Sequence, residues 1–450
     1  TEGWDEFRRY LEKLDVDELE RVCGVDREKV RAAAIEYGSA QSAMEFHGLG
    51  VTEHWQATKA ITLISNIAMM TGNIGREGTG VNPLRGQNNV QGAADMGIQP
   101  HQGAGYLDVT NPENIALYNA YYGAEHPAVP GYRIPEMFTA AARGDLKALW
   151  IMGEDILQTD PNTCHVKSSL QGLDLLVVQE LFMTETARIA DVIFPASSFL
   201  EKEGTFTNGE RRIQKVQRAV EPLEGTKPDG QIVVDMINRM GYPQKGYSAD
   251  IILKEIAGIV PFFKGVRWDE LGKSGKQWPV REDGTDTKIL HTDTFRRGKG
   301  RFHSWDYDIS PELNENAARF PYILTTGRLL EHYNSGTMTR RTPNSELVTE
   351  DILFVHPHDA GIKGLVSGDY ARIFSARGIT TMKVKVTDVV KPGVIYTTFH
   401  FPEAAINFLT SGIGDEFTLT PEYKVVAVDF EKSQYGIFTR AECRTIIKTG

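Results

Sequence analysis

Residues 148–155 read Ala148-Leu149-Trp150-Ile151-Met152-Gly153-Glu154-Asp155: five apolar residues in a row, a glycine, then two acids. An unbroken apolar run of this length, stopped by a turn residue, is the pattern of a strand buried inside a parallel sheet. The pattern recurs. Leu173-Asp174-Leu175-Leu176-Val177-Val178-Gln179 leads into Glu180, and Asp191-Val192-Ile193-Phe194-Pro195 follows. Such strands alternating with helical stretches predict an α/β chain with doubly wound, Rossmann-like parallel sheets. Ligands of these sheets bind beyond the strand C-termini. Gly153 to Thr159 and Gln179-Glu180 fall there.

The same grammar holds upstream. Asp26 predicts an N-cap for a helix ending at Gly38. Ala43 to His47 reads as a short strand entering the turn Gly48-Leu49-Gly50. A helix over about 56–71 places Ile61, Ile64, Ile67 and Met70 on one side. Trp4, Phe7, Tyr10, Leu11 and Leu14 give another over 4–14. Residues 81–146 look loop-rich, and a long loop in a compact protein usually carries function. Within it stands Val81-Asn82-Pro83-Leu84-Arg85-Gly86-Gln87-Asn88-Asn89-Val90-Gln91-Gly92. Its one cation, Arg85, sits between a proline turn and a run of amides. A guanidinium held there offers a planar fork that matches a carboxylate and stays charged at any working pH.

Downstream, a helix is expected over 230–243, and residues 245–310 read as a polar connection wrapping the surface. From Phe320 the pattern changes to short strands: 322–326, 352–355, 370–374, 380–386 and 394–399, with Arg377-Gly378 closing a hairpin. That predicts a compact β-barrel. The expected organisation is 1–86 and 87–230 as α/β domains, 231–310 as connection and 311–450 as barrel.

Composition narrows the function classes. The chain has 450 residues, 41% hydrophobic, and a formal net charge of −11, which disfavours a general nucleic-acid or anionic-membrane binder. No apolar run is long enough to span a membrane. Three cysteines, Cys23, Cys164 and Cys443, stand far apart. They support neither a disulfide framework nor a zinc or iron–sulfur site made by this chain alone. No GxGxxG, Walker A or HExxH pattern occurs, so nicotinamide, P-loop and zincin chemistry lack support. The chain opens without Met directly into an amphipathic helix, which reads as a cut through a longer protein. A cytoplasmic setting is compatible with the cysteine content.

Several polar clusters have plainer readings. His356-Pro357-His358-Asp359 looks like a metal pair but suits the start of a short helix. Glu201, Glu203, Glu210, Arg211 and Arg212 suit ion pairs around a β-turn. Arg328, His332, Tyr333, Asn334 and Thr337 leave a barrel strand together. They suit either a phosphate-bearing ligand or a solvated loop.

Taken together, these segments resemble the catalytic subunit of molybdenum- or tungsten-dependent formate dehydrogenases, which are bis-molybdopterin guanine dinucleotide oxidoreductases. The carriers are Met70 to Gly75, Pro83 to Met96 (PLRGQNNVQGAADM), Gly153 to Thr159, Ala190 to Pro195, Gly204 to Arg212 (GTFTNGERR), His332 to Arg341 (HYNSGTMTRR) and Thr420 to Lys424 (TPEYK). The resemblance implies a C-terminal six-stranded double-psi barrel. It implies that Arg85 holds formate beside the metal, with Leu49, Glu53 and Gln87 along the pterin. Gly153, Glu154, Asp155 and Gln158 would match a dinucleotide-binding turn, with Gln179, Asp191 and Asp229 near guanine or ribose. Arg328, His332, Asn334, His400, Asn407, Tyr423 and Lys424 would be the barrel's share of the pterins and phosphates.

The family also begins with a Cys-rich [4Fe–4S] domain and supplies a Cys or selenocysteine metal ligand followed by His. This sequence has none of these. The expectation is therefore the C-terminal part of such an enzyme, inactive alone. It would share its molybdenum or tungsten cofactor with the missing portion or a companion chain, and would pass electrons to partner subunits. The alternatives are a non-catalytic relative, such as the large NADH-quinone oxidoreductase subunit, or a nitrate reductase-like enzyme.

Overall fold

The computed structural model describes residues 1–434 and the short strand Glu442–Cys443. Its first parallel pair is β1 (Met44–His47) and β2 (Gly80–Pro83), connected through helix Ala57–Met70. Helix Arg27–Ser39 begins as expected: Asp26 accepts hydrogen bonds from the amides of Glu28 and Lys29. Helix Trp4–Leu11 is shorter than its apolar spacing implies, and it docks Phe7 on Phe302, with ring centroids 5.5 Å apart.

The second sheet consists of β3 (Ala148–Met152), β4 (Leu175–Glu180) and β5 (Val192–Pro195), parallel and in sequential order. Helices Ile134–Arg143 and Thr163–Gln171 cover one face, where Phe138, Val166 and Leu170 pack with Ile151, Leu176 and Val178. Met152, Leu175 and Val192 point to the opposite face and stay exposed. All three strands end on the side of Gly153 and Glu180, so groups following β3 and β4 meet at one edge.

Beyond it, β6 (Gly204–Thr207) and β7 (Arg212–Val216) form a hairpin, and β7 also pairs with Lys276–Gln277. Here the structure departs from expectation. The segment read as a surface connection buries Leu253, Ile259, Phe263, Leu271 and Trp278 in a core of its own, together with Ile213. Leu253 and Ile259 lie on helix Ala249–Ile259, whose apolar spacing the expectation passed over, whereas Phe263, Leu271 and Trp278 lie on short pieces broken by Gly and Pro. The stretch 81–146 likewise contains helices Val90–Asp95, Pro112–Tyr122 and Ile134–Arg143.

The barrel is built from β8 (Tyr322–Gly327), β9 (Ile352–Val355), β10 (Tyr370–Phe374), β11 (Gly378–Val386), β12 (Val394–Thr398) and β13 (Val426–Lys432). The ring runs β9-β12-β8-β13-β10-β11 and closes on β9. Pairs β8–β12 and β9–β11 are parallel, and the others are antiparallel. Closure pairs every strand on both sides, which leaves no free edge in the ring. Leu324, Leu353, Ile373, Ile395 and Val428 fill the interior. The sixth strand, β13, was not among those read from alternation.

One buried ion pair ties the segment entering the barrel to its wall. The Arg377 guanidinium donates to both Glu312 carboxylate oxygens, at 3.1 and 2.5 Å, and Glu312 also accepts from the Ala427 amide. Glu312 is 1% exposed. Removing one partner leaves an uncompensated buried charge, so Glu312→Ala should destabilise by about 3–5 kcal/mol. A thermal melt indistinguishable from the parent protein would contradict this.

Candidate functional site

The strand-end turn and the barrel meet in a cleft of about 150 Å³. From the α/β side it is lined by Glu53, Gln87, Glu154 and Thr159. From the barrel come Thr326, Arg328, Asn334, Phe399, Asn407 and Tyr423. Gly153, at φ +66, opens the turn after β3 in a conformation that disfavours side chains.

Two amides lock the walls together. Gln158 Nε2 donates to the carbonyls of Ser335, at 2.7 Å, and Phe399, at 3.0 Å. Asn407 Nδ2 donates to the carbonyls of Gln158, at 2.7 Å, and Thr159, at 3.0 Å. The Tyr423 hydroxyl also donates to the Thr159 carbonyl, at 2.9 Å. Burial and nearby carboxylates raise the Tyr423 pKa well above its ordinary value, so this phenol remains a donor. Lys424 Nζ lies 2.8 Å from Glu53 and 2.8 Å from the Thr326 carbonyl. Arg328 is exposed over the Phe399 ring, 5.1 Å from its centroid, so its charge is available to a ligand.

Not every expected residue faces this cleft. Asp155 turns its carboxylate to the amides of Glu185 and Thr186 and to the Thr186 hydroxyl. The rings of His332 and His400 are saturated by protein: His332 meets Thr339 Oγ1 and the Val348 carbonyl. His400 meets the Asn334 carbonyl through Nδ1, and its Nε2 accepts from the Leu329 amide. Burial lowers the His400 pKa, consistent with a neutral ring serving structure. Leu49 begins the short helix Leu49–Thr52 just after β1, partly exposed.

Gln179 and Asp229 do meet, with Gln179 Nε2 donating to Asp229 Oδ1 at 2.7 Å. Lys202 also pairs with Asp229. Asp191 stands apart. Its carboxylate accepts from the Leu176 amide at 2.7 Å, near the beginning of β4, whereas Gln179 lies towards that strand's end. Three residues of strand separate these positions by roughly 10 Å.

Arg85 lies between β2 and helix Val90–Asp95, exposed. Its Nε donates to Gln91 Oε1 at 3.1 Å. Two residues on, Gln87 reaches the cleft, and the Asn88 amide donates to the Tyr333 hydroxyl of the barrel at 2.7 Å. The loop is thus pinned beside the cleft. Gly92 permits the close crossing under it: a Cβ there would meet Asn89 Oδ1 at 1.9 Å.

Sequence reading missed Asp160 in this region. Asp160 is 7% exposed, and burial, with Glu154 as the next cause, pushes its carboxyl up to about 8. Burial raises the Glu154 carboxyl too. The Thr159 hydroxyl sits 3.3 Å from a carboxylate oxygen of each, one donor for two acids. An acid directly after the predicted Gly153–Thr159 turn was the available signal.

A larger cavity of about 250 Å³ lies on the barrel, lined by Arg340, Glu350, Asp351, Lys383 and Glu403 among others. Its cations are already paired, Arg340 with Glu403 at 2.7 Å and Lys383 with Glu350 at 3.1 Å. None of the predicted site residues lines it. His356 and His358 form no metal site: His356 Nδ1 accepts from the His358 amide and caps helix Pro357–Lys363. Among the described residues, no His/Cys/Asp/Glu group has metal-binding geometry, and no helix is long and apolar enough to cross a membrane.

The chain matches known proteins over nearly all its length. The molybdopterin oxidoreductase family profile covers residues 18–239, and that of the molybdopterin dinucleotide binding domain covers 322–427. The F420-dependent formate dehydrogenase subunit alpha of Methanocaldococcus jannaschii is 40% identical over 96% of this chain and 64% of its own length. Formate dehydrogenase H of Escherichia coli is 35% identical over 96% of this chain and 61% of its own length. The chain therefore spans under two thirds of either relative. The solved structure of acetylene hydratase from Pelobacter acetylenicus superposes with a TM-score of 0.71, covering 96% of this chain and 66% of that one. At 17% identity this shows a shared fold.

Proposed function

This chain belongs to the molybdopterin oxidoreductase family, and from that premise we propose that it is the substrate-holding, cofactor-cradling part of a formate dehydrogenase. The observation that carries the reading is the cleft between turn and barrel, beside which Arg85 is anchored with its terminal nitrogens free of protein partners among the described residues.

The donor set fits a molybdopterin guanine dinucleotide. At the sheet edge, Gln179 Oε1 is buried without a partner among the described residues, and Glu154 and Asp229 add acceptors. Such acceptors suit the N–H edge of guanine and ribose hydroxyls. On the barrel side, Arg328, which has no ion-pair partner among the described residues and donates to Asn334 Oδ1 at 3.4 Å, offers its charge for a pyrophosphate, with Lys424 close by. Asp155, His332 and His400 would act behind this surface by holding its backbone. Asp191 would serve it only indirectly, from the other end of β4.

Bound there, the metal–pterin group supplies the two-electron sink that formate oxidation to carbon dioxide requires. This chain's own contribution is positional. Arg85 holds the substrate carboxylate by charge-assisted hydrogen bonds, so that its C–H bond meets the cofactor in one orientation. On this reading the metal ligand, a [4Fe–4S] cluster and the onward electron path would come from sequence outside these 450 residues or from companion subunits.

The test is to purify the chain together with its preceding segment and companions, identify the extracted cofactor by mass spectrometry, and assay formate against nitrate. Molybdopterin guanine dinucleotide with formate-dependent dye reduction is expected. Turnover of nitrate without formate, or a preparation lacking pterin, would sink the proposal. Metal analysis of the same material names molybdenum or tungsten.

A further inference from the structure

Arg85 ends a chain of hydrogen bonds that runs into the protein rather than into solvent. Its Nε donates to Gln91 Oε1 at 3.1 Å. Gln91 Nε2 donates to Asp95 Oδ1 and to the Tyr106 hydroxyl, both at 2.8 Å. The Tyr106 hydroxyl donates to Asp95 Oδ1 at 2.7 Å, and Trp278 Nε1 donates to Asp95 Oδ2 at 2.7 Å. Asp95 is 0% exposed. Gln91 and Asp95 lie one helical turn apart on Val90–Asp95, so their side chains share a face.

The order of donors and acceptors determines which way the Gln91 amide points. An ionised carboxylate only accepts, so the amide must turn its NH2 to Asp95 and its oxygen to Arg85. Asparagine in place of Asp95 can turn an N–H toward Gln91, which the amide would meet with its oxygen, so the constraint weakens. A reversed amide would set an N–H against the Arg85 Nε–H, and the guanidinium would lose its anchor. With Nε tied, the two terminal nitrogens form the edge left for a carboxylate. One member of this network and one neighbour hold positive φ without being glycine: Tyr106 at +61 and Arg211 at +67, the latter bonded to the Trp278 carbonyl. Such conformations persist where surrounding structure enforces them, and they concentrate at functional sites.

We propose that Asp95 is a positioning residue for the substrate: through Gln91 it orients Arg85 and aims its terminal nitrogens at the carboxylate. The inference rests on the reading of Arg85 as the formate-holding residue.

The experiment is a double-mutant cycle in the assembled holoenzyme, with pterin and metal content matched between variants. Asp95→Asn should raise the formate KM about tenfold or more, the scale of one hydrogen bond to a charged group, with a smaller change in kcat. In an Arg85→Lys background, which has no Nε–H to anchor, the same substitution should add less than about twofold. Gln91→Leu should reproduce the KM change. It leaves Asp95 its bonds from Tyr106 and Trp278, and it decides the matter if Asp95→Asn does not assemble. An equal loss in both backgrounds means a merely structural role and overturns the proposal, as does an unchanged KM in Asp95→Asn and Gln91→Leu. If Arg85→Lys itself leaves formate kinetics unchanged, the formate reading of Arg85 fails first, and the relay loses its purpose with it. If Arg85→Lys is impaired and the other two variants are not, the relay alone fails.

Discussion

Replacing Arg85 with alanine in the assembled enzyme is expected to lower kcat/KM for formate by about two to three orders of magnitude, the range seen when one preorganised donor to a reacting oxyanion is removed. Arg85 is exposed and bonded to protein only through Nε, among the described residues. Its removal therefore leaves no buried partner unsatisfied beyond Gln91 Oε1, and stability should change little. Arg85→Lys keeps the charge but loses both the fork and the Nε anchor, so an intermediate loss of about tenfold to a hundredfold is expected. Steady-state kinetics with formate, alongside thermal melts, separate the two effects. Unchanged kcat/KM for the alanine variant would remove Arg85 from the site. A large drop in melting temperature would assign the loss to folding instead.

Asp160→Asn is expected to make the protein more stable in alkali than its parent. Burial raises the Asp160 carboxyl from its ordinary 3.8 to about 8, with Glu154 as the second cause. The sign follows from the direction of that shift. The folded state holds the proton more tightly than the unfolded chain. The stabilising contribution is therefore complete below pH 3.8 and is lost as pH rises through about 8. At pH 9 the parent must either hold a buried charge at Asp160, next to Glu154, or loosen the turn. The amide carries no charge and can donate to Glu154. The difference should be on the order of a few kcal/mol at pH 9 and shrink towards zero only as pH falls to about 3.8. Melts of both forms across that range decide it. Parallel pH profiles, or a variant less stable throughout, would show that Asp160 is not the buried acid that limits alkaline stability. An anionic pyrophosphate in the cleft would push the Asp160 proton in the same direction.

Much of this architecture was legible locally. The runs at 148–152 and 352–355 matched their strands residue for residue, because continuous or alternating apolar side chains follow directly from burial on a sheet. Asp26 announced its helix through a side chain that caps its own neighbours. His356 did the same, which is why the plainer reading of His356-Pro357-His358 was the better one. Outside helix Ala249–Ile259, the core under residues 245–310 was invisible for the opposite reason. Trp278 and Phe263 sit on irregular segments with no repeat to count, and they bury themselves against partners far along the chain.

The polar residues divide in the same way. Glu53, Gln87, Glu154, Arg328, Asn334, Asn407 and Tyr423 are gathered at one cleft, a convergence that no spacing in the sequence states. His332, His400 and Asp155 carry the same chemistry but spend it on protein partners. Asp191 adjoins a strand named correctly, yet it stands at that strand's beginning, away from the edge where Gln179 lies. The sequence alone determined the strand runs, the helix caps, the net charge and the one arginine set among amides, all properties of neighbours along the chain. Only the tertiary structure decided which polar groups remain unsatisfied and face a common space. A donor such as Trp278 finds its acceptor Asp95 183 residues away, and a hydrogen bond depends on where atoms meet rather than on where residues fall in order.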